Sequence, residues 1–168
     1  MRILGIDCGT QFTGYGIIEC DAAGALRAMD CGAIHLQKRV AMPERLCTIF
    51  SDLTALIQRH APDVVVIEEV FHATNSRTAL LLGQARGVAL LAAATQKIAI
   101  AEYAPLAVKS AVTGYGLADK EQVRFMVMRL LQLNTPPEPL DASDALAIAI
   151  CHAHHAQTAD AQHRSPLR

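Results

Sequence analysis

The 168-residue chain has no tryptophan, three tyrosines, four phenylalanines, and 18% charged residues against 52% hydrophobic ones. Each shortage excludes something. Without a long polar or charged tract, no segment has the composition that keeps a chain disordered, and one full core is expected. No C-x-x-C pair occurs among the five cysteines at 8, 20, 31, 47 and 151. An odd, scattered set argues against a disulfide framework or a structural zinc site and fits a reducing cytoplasm. No apolar run reaches ~18 residues without a charged or polar break, so no membrane span is expected. The opening stretch, Met1-Arg2-Ile3-Leu4-Gly5-Ile6-Asp7, lacks the layout of a signal peptide and runs straight into a strand-like segment.

Net charge is −1, but it is unevenly spread. Residues 1–69 hold 6 Lys/Arg against 9 Asp/Glu, residues 70–130 hold 7 against 3, and the remainder holds 2 against 4. A basic middle between acidic ends fits a phosphate-binding surface beside an acidic metal site, and it also fits an ordinary solvated surface.

Residues 2–8, 13–20 and 25–36 read as three strands separated by short Gly-containing breaks, hence antiparallel hairpins. Pro43 opens a helix to about His60, with Leu46, Ile49, Leu53 and Leu56 on one face. The β-branched run 63–70 is a buried strand. A long helix over 75–96 follows, with Asn75 or Ser76 as N-cap, and then a strand at 98–103. Helices are expected from Pro105 to about Val112, from about Asp119 to Leu133, and from about Asp141 to His155. Between the last two, Asn134-Thr135-Pro136-Pro137-Glu138-Pro139 is a stiff break. The order β-β-β-α-β-α-β-α-α-α predicts an α/β chain with a five-stranded mixed sheet flanked by helices, which is the order of the ribonuclease H-like fold. A single domain over 1–155 is expected, with 156–168 a polar, flexible tail.

Four acids fall where chemistry is expected. Asp7 ends the first strand, on the face of Ile3 and Gly5. Glu68 sits near the end of the fourth, on the face of Val64 and Val66. Asp141 and Asp144 are three apart at the start of the last helix and project from one face. Carboxylates at the ends of apolar strands are costly unless something neutralises them, and close like charges hold a proton. A divalent cation removes the conflict, and hard oxygen donors favour Mg²⁺ or Mn²⁺. Two such ions can activate a water and stabilise the leaving 3′-oxygen of a phosphodiester. Taken singly, each acid also fits a capping or turn role, Asp141 above all, since it follows Pro139-Leu140 as an N-cap would.

The motifs around these acids carry a resemblance. Gly5-Ile6-Asp7 with Thr13-Gly14-Tyr15-Gly16, Ile67-Glu68-Glu69-Val70-Phe71 and Leu82-Gly83-Gln84-Ala85-Arg86-Gly87-Val88-Ala89 come first. Glu102-Tyr103-Ala104 and Asp141-Ala142-Ser143-Asp144-Ala145-Leu146-Ala147-Ile148-Ala149 complete the set. Together they resemble the RuvC family of Holliday junction resolvases, from Met1 to about His155. Cys8 stands where that family usually has proline, and Glu69 where glutamine is common. The resemblance implies a metal-dependent DNA endonuclease with Asp7, Glu68, Asp141 and Asp144 as catalytic and metal-binding acids and Mg²⁺ as cofactor, two per site, with Mn²⁺ as a substitute. It implies a four-way DNA junction as substrate, paired symmetric nicks leaving 5′-phosphate and 3′-hydroxyl ends, and the branch-migration proteins RuvA and RuvB as partners.

Lys109 and Lys120 bracket the Gly114-Tyr115-Gly116 loop, where lysines and the amides of a helix N-terminus could cradle phosphates. The family resemblance supports both lysines. It also places an aromatic at Phe71 against an unpaired base of the junction, which is ordinary stacking physics, although a core role fits a phenylalanine equally. Arg77 and His72 are lesser candidates on that segment. Cys151-His152-Ala153-His154-His155 looks metal-like, but histidines at a helix end more often meet solvent or the helix dipole, and no metal is assigned there. The helix 75–96 is apolar nearly all round, so one face can pack on the sheet and another on its copy in a C2 homodimer. The main competing function is a phosphotransferase or ATPase of the actin-like group, whose first phosphate motif resembles Gly5-Ile6-Asp7-Cys8-Gly9-Thr10. That group encloses its nucleotide between duplicated domains, and 168 residues hold one copy. A non-catalytic junction- or RNA-binding module and a related nuclease acting on RNA are further alternatives.

Overall fold

A computed structural model describes residues 1–69 and 75–164; Phe71 and His72 lie outside them. Strands β1 (Arg2–Asp7), β2 (Phe12–Cys20) and β3 (Leu26–His35) form an antiparallel meander. Strands β4 (Val64–Glu68) and β5 (Ala99–Tyr103) run parallel to β1, giving the sheet order β3-β2-β1-β4-β5. Parallel neighbours need crossover connections, and α1 (Met42–His60) and α2 (Ser76–Thr95) supply them. Helices α3 (Pro105–Thr113), α4 (Lys120–Leu130) and α5 (Leu140–Arg164) follow.

The sheet is covered on both faces, and its side chains divide accordingly. Ile3, Ile18, Val64 and Val66 join one apolar cluster with α3, α4 and α5. Leu4, Ile6, Ile17, Val65 and Ile67 join the other, with α1 and α2. That is why β4 reads as an unbroken β-branched run rather than an alternating one. Among the described residues the architecture is the expected mixed five-stranded sheet between helices.

The local signals explain most boundaries. Pro43 lies in the first turn of α1, and Ile49, Leu53, Leu56 and Ile57 form its buried stripe. Asn75, not Ser76, caps α2, its side chain accepting from the Thr78 N–H. Helix α4 ends at Leu130, short of the expected Leu133, as Gln132 turns to a φ of 53°.

Two expectations change. Helix α5 does not end near His155 but continues through the polar stretch to Arg164. The reason is an anchor: Gln157 Nε2 donates to the Gly24 carbonyl at 3.1 Å in the β2–β3 turn. Helix α2 is also long and apolar enough, by length and composition, to cross a membrane. Its setting gives that apolarity another use. Ala85, Ala89, Ala92 and Ala93 are buried in the core, and Arg86, in mid-helix, is ion-paired with Glu102.

Candidate active site

The sheet register brings the first two acids together. β1 and β4 are paired from Ile3↔Val64 to Ile6↔Ile67. One step further along stand Asp7 and Glu68, each the last residue of its strand. Alternation puts both on the face of Ile3, Val64 and Val66, beneath α5. Glu69 falls just beyond β4, its N–H donating to the Tyr103 carbonyl at 2.9 Å. Carrying the alternation one residue on turns its side chain away from Asp7, so Glu68 is the acid that faces the site.

Helix α5 brings the other two, and glycines let it approach. A Cβ on Gly14 would overlap the Asp141 carbonyl, one on Gly5 the Ala145 carbonyl, and one on Gly16 would lie 2.7 Å from the Leu146 nitrogen. Gly14 is the cross-strand partner of Asp7. The backbone of Asp141 therefore rests on the strand directly beside Asp7. Asp141 belongs to the first turn of α5, which starts at Leu140, and the Ala142 N–H bonds to the Pro139 carbonyl at 2.9 Å. Among the described residues, the Asp141 side chain makes no capping hydrogen bond. The N-cap alternative thus loses its support at this position, and an acid in the first turn also suits the helix dipole.

Asp7, Glu68 and Asp144 line one cleft of ≈ 180 Å³ together with Lys109 and Lys120. Asp141 is not in its lining, but its charge acts on Asp7. Two larger grooves, ≈ 490 Å³ along α4 and ≈ 350 Å³ between α3 and α5, contain none of the four acids. Size does not mark this site; convergent charge does.

That charge is under strain. Burial, then the neighbouring charges of Asp144, Glu68 and Asp141, push the Asp7 carboxyl from 3.8 up to about 7, with Lys120 opposing. Burial and Asp144 also raise Glu68, opposed by Lys120 and Lys109. Lys120 Nζ stands 2.8 Å from Asp144 Oδ2, and this hydrogen bond, more than the surrounding negative charge, raises the lysine's own pKa. Cys8, beside Asp7 in sequence, packs in the opposite cluster, and burial pushes its thiol up to about 12. Facing away from the acids, with a thiol so hard to ionise, Cys8 is poorly suited to act as a nucleophile there.

The donor set suits a hard divalent cation: carboxylate oxygens only, mutually repelling, one of the acids pushed up to about 7 by burial and its neighbours. Among the described residues, no three His, Cys, Asp or Glu side chains are gathered tightly enough to enclose an ion. The ammonium of Lys120 supplies positive charge there instead.

The other candidates separate clearly. Lys109 and Lys120 reach the cleft. Arg77 is exposed in the first turn of α2 and is absent from the cleft lining. Part of the expected phosphate cradle at the N-terminus of α4 is taken up internally. Asp119 accepts from the Gln122 N–H while the Gln122 side chain accepts from the Asp119 N–H, and Thr113 Oγ1 accepts from the Tyr115 N–H. The histidines have partners within the chain: His152 Nδ1 is 3.0 Å from the Tyr103 hydroxyl, His155 stacks on the Tyr103 ring at 4.9 Å, and His154 Nδ1 is 2.9 Å from the Ala111 carbonyl. Because α5 runs on past them, they pack in mid-helix rather than fray at an end.

Sequence reasoning missed Arg86. Its guanidinium pairs with Glu102 of β5, and its Nε donates to the Glu68 carbonyl at 3.3 Å, tying down the strand end that carries the acid. A single charge in the middle of an apolar helix was the available signal.

Residues 3–152 match the family model for crossover junction endodeoxyribonuclease RuvC. The chain is 52% identical over 163 residues to the crossover junction endodeoxyribonuclease RuvC of Koribacter versatilis, covering 97% of this chain and 98% of that protein. It is similar to the solved structure of Thermus thermophilus RuvC, with a TM-score of 0.87 and 32% identity over 95% of this chain and 97% of the other. The same similarity extends to T. thermophilus RuvC in complex with a Holliday junction substrate, with a TM-score of 0.86 and 30% identity over 94% and 96% of the two chains.

Proposed function

Because the chain belongs to the RuvC family of crossover junction endodeoxyribonucleases, we propose that it resolves Holliday junctions by paired, symmetric nicks that leave 5′-phosphate and 3′-hydroxyl ends. The observation that carries the chemistry is the convergence of Asp7, Glu68 and Asp144 on one cleft, with Asp141 alongside. The proposed cofactor is Mg²⁺, two ions per site, with Mn²⁺ as a substitute. Divalent ions held by these acids would supply the positive charge that activates a water and stabilises the leaving 3′-oxygen.

The protein's own contribution is position. The parallel β1–β4 register fixes Asp7 beside Glu68, and the glycine floor under α5 fixes Asp141 and Asp144 above them. Lys109 and Lys120 offer two cations at the rim for the backbone phosphates that flank a scissile bond. Phe71, from the family resemblance, and Arg77, as a lesser candidate on the same segment, remain proposed junction contacts.

Paired nicks call for two sites, and a homodimer is proposed through the outer face of α2. There Leu80 and Leu91 are 70% and 53% exposed, and open space stands over Gly83 and Gly87, so a second backbone could come close. All five cysteines are free thiols, consistent with the proposed cytoplasmic location. RuvA and RuvB are the proposed partners, again by family resemblance. The site lies within the proposed single nuclease domain of residues 1–155.

The test is to incubate the protein with a labelled four-way junction, a linear duplex and an RNA–DNA hybrid, each with Mg²⁺ and with chelator. Paired nicks in the junction alone, requiring metal, are expected. Hybrid cleavage, or cutting that survives chelation, would overturn the proposal.

A further inference from the structure

Lys120 stands at an unusual point between two roles. Its backbone is fixed, since it is the first residue of α4 and lies inside the capping box of Asp119 and Gln122. Its side chain, by contrast, is 65% exposed, so solvent and an incoming phosphate can reach it. That side chain is turned inward, with Nζ 2.8 Å from Asp144 Oδ2. It thus places a positive charge in the same cleft as Asp7 and Glu68, where an ion-binding site needs one.

We propose that Lys120 is a removable counter-ion: its ammonium blocks Asp144 until a DNA phosphate draws it outward, so that the site loads a divalent ion as DNA arrives. This rests on the reading of the acids as an ion-binding site. The logic is linkage. An ammonium drawn out to a backbone phosphate no longer neutralises Asp144, so phosphate binding frees a carboxylate and ion binding frees a cation, and each event favours the other. Lys109, in the same cleft and without an ion pair among the described residues, is a fixed attraction that brings the phosphate near. The contact is solvent-accessible, and solvent-exposed ion pairs are individually weak, so the block is a bias rather than a lock. Its removal should tighten ion binding by about three- to five-fold. A bias of that size still matters, because it disfavours a metal-loaded nuclease in the absence of substrate.

The test is Mn²⁺ affinity, read from the electron paramagnetic resonance of the free ion. It is measured on the full chain at pH 8, alone and with a cleavage-resistant phosphorothioate four-way junction. Wild type is compared with Lys120→Met and Lys120→Arg. Without DNA, K120M should bind Mn²⁺ about three- to five-fold tighter than wild type, while K120R, which keeps the charge, stays within two-fold of wild type. Adding the junction should tighten Mn²⁺ binding to wild type more than to K120M. Equal or weaker Mn²⁺ binding by DNA-free K120M overturns the inference, as does undiminished coupling in K120M. Failure of the underlying site looks different: wild type would then bind no Mn²⁺ under either condition.

Discussion

Asp7 is expected to weaken the fold it belongs to, and replacing it should reveal by how much. Its carboxyl is pushed from 3.8 up to about 7, first by burial and then by Asp144, Glu68 and Asp141. A raised acid has a definite sign. Below pH ~4 the group is protonated in both the folded and unfolded states and makes no difference. As pH rises toward 7 the unfolded chain releases the proton and the folded chain keeps it, so stability falls across that window and levels off above it. The gap between 3.8 and about 7, at ~1.36 kcal/mol per pH unit, sets a ceiling of about 4 kcal/mol. Asp7→Asn cannot ionise and escapes the loss. In chelator at pH 8 the variant should therefore melt higher than wild type, by at most roughly 8–16 °C at about 2–4 °C per kcal/mol for a chain of this length. The advantage should shrink steadily below pH 7 and vanish near pH 4. Saturating Mg²⁺ should raise the wild-type melting temperature, since a ligand at 100 times its Kd stabilises by about 2.7 kcal/mol, and should do far less for the variant. The assay is thermal unfolding by circular dichroism from pH 4 to 8, with EDTA or Mg²⁺. An Asp7→Asn protein less stable than wild type at pH 8 in EDTA, or a difference that ignores pH, would refute the reasoning.

Other consequences are more local. Gly14→Ala drives a methyl into the Asp141 carbonyl and must push α5 off the sheet beside Asp7; urea unfolding should show a loss of about 1–3 kcal/mol, with nicking reduced beyond what stability explains. Glu68→Gln and Asp144→Asn should each abolish nicking while junction binding by gel shift persists; loss of the fold instead would mark those acids as structural. Arg86→Met removes the tie between Glu102 and the Glu68 carbonyl, so kcat should fall more than KM rises. Leu91→Asp puts a charge on the outer face of α2 and should turn a sedimenting dimer into a monomer that still folds.

The element order was legible in the sequence because its signals are local. The β-branched 64–67 run, Pro43, the Asn75 cap and the glycine breaks each act over a few residues, and the helices and strands fall where they indicate. The acids were legible for the same reason: Asp7 and Glu68 interrupt apolar strands, and an i, i+3 pair heads a helix. What local pattern cannot convey is contact between distant segments. The polar run after His155 looks like a tail until Gln157 meets Gly24, 133 residues away in sequence. The amides leading into α4 all look free for phosphate until the capping box is seen to take those of Asp119 and Gln122. Arg86 looks like a stray charge until β4 and β5 close around it. Asp141 could be a cap or a ligand by sequence, and it took the start of α5 at Leu140 and the position of Gly14 to place its backbone beside Asp7.

The central claim is that one ion-binding site joins the two strand ends to the head of α5. Its most direct test is anomalous diffraction at the manganese edge, from crystals grown with Mn²⁺ and an uncleaved four-way junction. The account predicts anomalous peaks within coordinating distance, about 2.0–2.3 Å, of carboxylate oxygens from Asp7 and Glu68 and from Asp141 or Asp144. Peaks elsewhere, such as at the His152–His155 cluster, or none in that cleft at saturating Mn²⁺, would contradict it.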